Sequence, residues 1–499
     1  MPWSRSTICL RASAALAFAL AFACSRGPEV AVVGESVKLR LGERRPSHSA
    51  LWDGRTVRLR GARGETLGLQ VLLRHPAPVT LELVDAPVSV QGFSVRALDV
   101  RQPSSSMYGK SRGPGVYPDI LAPATSPVAA DSAAFFDVAL AGSARPGRYQ
   151  GRLDAGAAHF PVELVIEPVT IDLQADPLVW VFYLPREIAR AHGVPDDDGA
   201  AELAWEARYH ALFRAHGAYL ASDQPRRRFP ARRGFVDGIR YWPVALDLAS
   251  DGRLAADASA WLEAFRDLPA QPFAIPVDEP HGSAARRRVR HIFDLIGKTR
   301  LVRAVTDSPH PEYGDAVDAY FSSQNIPGGR RPFWAVNGGG TTAGGLLLDA
   351  EGVALRTWGW IAYRYGIELW YAWEGLYWSD RYNKGGPTDL MTNPVTFDQR
   401  RTGGDDWGNG DGVLAYPGPM PSLRLKALRR GLADRRLLIK LAACGGAAKA
   451  DAIARRLIPR AMGEAPKGDE PTWPRDEAAW EAARSAVLDA LVRRCPDVD

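Results

Sequence analysis

Histidine and cysteine are scarce in this chain, with nine and four copies in 499 residues, and no two histidines stand at a metal-ligand spacing. A metal centre built on those residue types is therefore not expected. The acids Asp405, Asp406 and Asp411 in a glycine-rich loop are too few and too scattered to make up for that, so neither a metal nor a cofactor is expected. No Gly-x-Ser-x-Gly elbow occurs, which argues against a serine esterase, and no glycine-rich phosphate fingerprint follows the first strand of the α/β region, which disfavours a doubly wound nucleotide fold. Basic character is also thin: the net charge is +5, and the arginines are spread along helices without a basic block or interleaved aromatics. Nucleic acid is not expected as a partner.

Long apolar runs are absent apart from residues 12–23, which are too short for an ordinary membrane span. Arg5 and Arg11 precede that run and Cys24 follows it, so residues 1–24 read as an export signal. Residues 21–24 resemble the lipobox of bacterial lipoproteins, with Cys24 as the acylated residue, although Ala21 and Phe22 replace the usual leucine and small residue. The expected location is the bacterial cell envelope by a lipid anchor, or else the periplasm or the medium. Cys9 leaves with the signal, and only Cys444 and Cys495 remain. An oxidising compartment lets them pair, and two buried thiols are the other reading.

What the chain does have is a change of period. Residues 29–172 show short β-rich runs, including 66–73 (TLGLQVLL), 135–140 (FFDVAL) and 160–166 (FPVELVI), separated by Gly, Pro, Ser and Asp. This pattern predicts an antiparallel β-sandwich. From residue 177 to 443 apolar strands alternate with amphipathic helices, the pattern of a (β/α)8-like (TIM) barrel whose site lies at the C-terminal strand ends. Residues 444–499 read as a helical extension. Nothing in the sandwich segment concentrates catalytic residue types, so packing, positioning or weak sugar contact is its expected role.

The chemistry-bearing candidates follow strands. Asp278 and Glu279 end the strand beginning at Phe273, and Pro280 favours an extended backbone at Glu279. Two neighbouring carboxylates in different environments suit glycoside hydrolysis, where one must carry a proton while the other stays charged. The segment 371–380 (YAWEGLYWSD) supplies aromatic rings for stacking on sugar faces. Trp370 and Tyr371 are assigned to the core, and Trp373, Glu374, Tyr377 and Trp378 to substrate contact. Asn337 and Trp334, at the end of and within an earlier strand, are further substrate-binding candidates.

Asp278-Glu279-Pro280, residues 374–378, the run 409–418 (NGDGVLAYPG) and 421–425 (PSLRL) resemble glycoside hydrolase family 123 and the broader domain of unknown function 4091. The runs 63–66 and 146–151 resemble the sandwich of that family. The resemblance implies a retaining exo-β-N-acetylhexosaminidase, N-acetylgalactosaminidase-like, acting on a glycan or glycoconjugate. It implies substrate-assisted catalysis with Glu279 as acid/base and Asp278 orienting the acetamido group. Two rivals remain: a conventional retaining enzyme with Glu374 as nucleophile, and a surface lipoprotein that binds glycans without turnover. Exact sugar, linkage and oligomeric state are not legible.

Overall fold

The computed structural model describes residues 27–196, 199–325, 333–466 and 469–495; the expected signal and Cys24 lie outside them. Ten strands make the first half: β1 (Val30–Gly34), β2 (Val57–Arg63), β3 (Thr66–Leu73), β4 (Ala77–Leu83), β5 (Val88–Val100), β6 (Gly115–Ala124), β7 (Val128–Ala130), β8 (Ala133–Leu140), β9 (Gly147–Ala155) and β10 (Ala158–Thr170). They form two five-stranded sheets, ordered β1-β3-β8-β5-β6 and β2-β10-β9-β4-β7. All pairs are antiparallel except β2 with β10, which runs parallel. Leu67, Leu69 and Val71 of β3 point into the apolar layer between the sheets. Gly68 and Gln70 point the other way, yet they too are buried.

The cover over that second face is the helix Leu423–Leu441, started by Ser422, whose hydroxyl accepts the Leu425 N–H at 3.0 Å. Its basic residues meet acids of the sandwich: Arg424 with Asp119 at 2.8 Å, Lys426 with Asp137, Arg429 with Glu35 at 2.8 Å and Arg430 with Glu65 at 2.9 Å. All eight side chains are largely removed from water. The same helix crosses Thr357–Tyr365 at Gly431 and Gly359, where a β-carbon on Gly359 would lie 1.8 Å from the Gly431 carbonyl. Only glycine permits that approach.

The second half holds eight parallel strands: β11 (Val179–Val181), β12 (Ala218–Leu220), β13 (Tyr241–Pro243), β14 (Gln271–Ala274), β15 (Val302–Val305), β16 (Ala319–Ser322), β17 (Phe333–Val336) and β18 (Leu369–Ala372). Their order, β12-β11-β18-β17-β16-β15-β14-β13, is that of a curled sheet whose two ends are β12 and β13. Across that seam the Tyr219 hydroxyl donates to the Tyr241 carbonyl at 2.6 Å. The expected barrel is thus met as a curled eight-stranded parallel sheet, open along one seam and unevenly covered. Helices Gly199–Ala215, Asp251–Ala264, Gly282–Ile296 and Thr357–Tyr365 follow β11, β13, β14 and β17, whereas β15 leads on through a 3-10 turn. In Gly282–Ile296 the residues Val289, Ile292, Phe293 and Ile296 are buried, as their spacing predicts.

Beyond residue 441 the chain turns into helix Ala447–Leu457 and later Glu477–Arg494. Cys444 and Cys495 are joined in a disulfide that ties the first of these turns to the end of the last helix.

Candidate active site

The barrel interior is packed with rings, which fixes the strand ends above it. Trp334 is fully buried between Tyr241, Phe273 and Phe321, with centroids 4.8 to 5.1 Å away. It belongs to the core, and its expected role in sugar binding is corrected accordingly. Higher up, Trp180 stacks on Tyr371 at 4.1 Å and 17°. Tyr371 packs against this core, as expected, while staying partly buried.

At the end of β14 the chain leaves the sheet through Ile275, Pro276 and Val277, and both acids emerge exposed. Glu279 has φ +42°, in the left-handed region, where the preceding-proline rule had suggested an extended backbone. The next strand end holds this turn in place: the Thr306 hydroxyl donates to Asp278 Oδ1 at 2.7 Å, and its oxygen accepts the Glu279 N–H at 2.7 Å. Asp278 is thereby oriented. The Glu279 side chain is 74% exposed and lies 4.0 Å from the still more open His281.

The groups that feel these two charges define the mouth. Burial first, and then the charge of Asp278, raise Tyr371 far above its ordinary range, so its hydroxyl stays protonated and can donate. Desolvation, with the Asp278 charge adding to it, also raises Asp223, which follows β12. Tyr108, from the turn Ser106–Tyr108 of the sandwich half, is raised by burial and then by Asp411 and Glu279.

Trp373 stands at the end of β18, partly exposed, and is pinned twice: its N–H donates to Asn337 Oδ1 at 2.9 Å and its indole Nε1–H to Asp411 Oδ1 at 3.0 Å. Asn337 thus anchors the platform, with φ +45° letting its carbonyl accept the Trp370 indole N–H at 2.8 Å. Burial pushes the Asp411 carboxyl up to about 7.

The rest of the aromatic segment folds inward. Tyr377 is fully buried and donates to Asp380 at 2.8 Å; Trp378 is 4% exposed and donates to the Ala415 carbonyl at 2.9 Å. Neither offers a ring face to a sugar, because the chain after β18 turns back beneath the 409–416 loop through a bridge between Leu376 and Val413. Glu374 is also fully buried and paired with Arg381, so its expected contact with substrate is corrected. An exposed ring does occur two residues past the predicted segment: Tyr382 is 58% exposed and stacks on Tyr377 at 5.7 Å.

Asp278, Glu279 and Trp373 thus stand at one end of the curled sheet, joined by Thr306, Asp223, Tyr371, Tyr382 and Tyr108. Thr306 carries the signal used for Asp278, a polar residue directly after a strand, and Asp223 lies three residues beyond the end of β12. Tyr108 had no such signal, since it comes from another sheet entirely.

Comparison with known proteins bears on the fold and on its second half. Residues 330–441 match the family model described as the glycoside hydrolase 123 catalytic domain. A solved family 123 glycoside hydrolase from Clostridium perfringens, described for glycolipid glycan hydrolysis, shares the fold with a TM-score of 0.61 at 10% identity. The alignment covers 93% of this chain and 97% of that one. Weaker likenesses carry no argument: a putative alpha-galactosidase/melibiase from Bacteroides fragilis has TM-score 0.15 at 9% identity over 53% of this chain and 55% of that one. A GH10 xylanase with a bacterial Ig-like domain, from termite gut, has TM-score 0.19 at 10% identity over 76% and 99%. No curated protein matches the chain. The matched segment spans β17, β18, the Trp373 platform and the Asn409–Asp411 loop, so residues 330–441 are similar to a glycoside hydrolase 123 catalytic domain, on a fold shared nearly end to end with a solved family 123 enzyme, and together these two findings support glycosidase activity.

Proposed function

We propose that this glycosidase is a retaining exo-β-N-acetylhexosaminidase, N-acetylgalactosaminidase-like, that uses the acetamido group of its substrate as nucleophile. The observation carrying this reading is the unequal treatment of two neighbouring acids: Thr306 fixes Asp278, while Glu279 is left free to reach a bond. Asp278 accepts the amide N–H and holds the acetamido oxygen behind the anomeric carbon. Glu279 gives its proton to the leaving oxygen as that oxygen's bond to the anomeric carbon breaks. It then takes a proton from the water that opens the cyclic intermediate, and two inversions leave the configuration unchanged. An exposed carboxyl becomes an effective acid only when water is excluded, so the bound sugar itself supplies the desolvation.

The rival with Glu374 as nucleophile is disfavoured by full burial and its pairing with Arg381. Glu279→Gln is expected to lower turnover of a chromogenic β-N-acetylgalactosaminide by about 10²- to 10⁴-fold, the usual contribution of a general acid/base. An N-acetyl thiazoline is expected to inhibit the wild type. Unchanged activity in the variant removes Glu279 from the mechanism, and turnover of plain hexosides without thiazoline inhibition removes the acetamido nucleophile. Glycan binding by a protein that turns over no substrate would favour the non-catalytic reading.

Export with lipidation at Cys24 accompanies this reading, and the Cys444–Cys495 disulfide suits an oxidising compartment. Metabolic labelling with palmitate tests it: a mature chain that starts elsewhere and carries no label leaves secretion instead.

A further inference from the structure

The sandwich half reaches into the mouth through the loop 101–114, and the barrel half grips that loop from two sides. On one side Ser104 donates to Asp349 from its N–H at 2.8 Å and its hydroxyl at 2.7 Å, and Ser111 donates to the same carboxylate. On the other, Asn409 Nδ2 donates to the Gln102 carbonyl at 2.9 Å, Trp407 Nε1 to the Pro103 carbonyl at 2.8 Å, and the Ser105 hydroxyl to Asp406 at 2.7 Å. Asn409, the first residue of the 409–418 run, therefore serves this docking.

Between the two grips the backbones touch. A β-carbon on Gly339 would lie 2.8 Å from Tyr108 Cα, and one on Gly345 would lie 2.7 Å from the Tyr108 carbonyl oxygen. Glycine at both positions lets the loop sit down on the strand ends, and the residue delivered there is Tyr108. Its side chain is partly exposed, within electrostatic reach of Glu279 and Asp411, and itself acts on Tyr371. Among the described residues no hydrogen bond engages its hydroxyl.

We infer that Tyr108 is a substrate-contacting residue lent by the sandwich to the barrel, completing the rim beside Glu279 and binding the hexosamine ring or its acetamido group. The inference rests on the proposed hydrolysis of N-acetylhexosaminides. A phenol suits the task because its edge packs on the apolar face of a sugar while its hydroxyl, kept protonated here, donates to a sugar oxygen. The sandwich then sets specificity in addition to packing.

The test compares wild type, Tyr108→Phe and Tyr108→Ala, in the full chain, on a chromogenic β-N-acetylgalactosaminide. Losing one neutral hydrogen bond should lower kcat/KM about fivefold in the Phe variant, mainly through KM. The Ala variant should lose more, with a melting temperature near that of the wild type. Should the Ala variant fail to fold, the isosteric Phe variant decides alone. If folded variants keep the wild-type kcat/KM, the inference is overturned while hydrolysis stands. If the wild type turns over nothing, the functional reading fails separately and calorimetric titration with N-acetylgalactosamine decides Tyr108. Binding that weakens in the variants upholds the contact; equal binding, or none to wild type, overturns it.

Discussion

The hydroxyl of Thr306 bonds at 2.7 Å to both members of the acid pair, giving its proton to the Asp278 carboxylate and receiving the N–H of Glu279. One side chain on β15's exit thus sets the relative placement of two groups on β14's exit, including the left-handed turn at Glu279.

Removing that hydroxyl should misplace both acids without unfolding the protein. Thr306→Val is expected to lower kcat ten- to a hundredfold, the scale of loss that follows a displacement of about 1 Å at a reacting centre. Thr306→Ser keeps the hydroxyl and should recover most of the rate. Steady-state kinetics of both variants check this; a Val variant with wild-type kcat would show that Asp278 needs no such support.

Asp411 offers a pH signature independent of catalysis. Its folded value of about 7 stands above the ordinary 3.8, so the native state holds a proton that the unfolded chain has released over that interval. Stability from this group is complete below about pH 4 and is lost as pH rises through 7, at up to about 1.4 kcal/mol per pH unit. Asp411→Asn removes the titration while keeping an oxygen for the Trp373 indole. Denaturant melts should find the variant more stable than wild type at pH 8, with the gap closing toward pH 4. Glu477, also raised by burial, titrates in both proteins and cancels. A gap that does not change with pH contradicts the assignment.

The ionic contact between the halves gives a third expectation. Asp119 is fully buried against Arg424 and accepts the Tyr416 hydroxyl at 2.7 Å. Asp119→Ala leaves a buried guanidinium unpaired, which should cost about 3–5 kcal/mol. Thermal melting measures it, and a loss below about 1 kcal/mol would mean that water reaches Arg424.

The two architectures were legible because their periods differ, and Asp278 and Glu279 because polar residues directly after an apolar strand mark a barrel mouth. Trp373 followed by the same logic. Tyr377, Trp378 and Glu374 misled because the strand ends at Ala372 and the next residues fold back under the 409–416 loop, a tertiary event with no local signature. Trp334 misled because an alternating strand does not reveal which depth of a barrel its side chain fills. Tyr371 does pack on the core, stacked on Trp180, and its partial exposure was not legible from the strand pattern. The Glu279 turn escaped the pre-proline rule because hydrogen bonding to Thr306 overrode the local preference. Pairing of Cys444 with Cys495 was an open choice until the helix ends were placed together.

The row of cations on helix Leu423–Leu441 and the acids it meets are far apart in sequence, from Glu35 to Arg430. Cutting the chain between its halves would therefore not release two inert modules. One piece would bare a strip of four carboxylates and the other a matching basic ridge, two complementary polyelectrolytes rather than two free-standing building blocks. A foreign β-sandwich grafted in front of this barrel would have to reproduce that charge script before it could present any residue to the sugar.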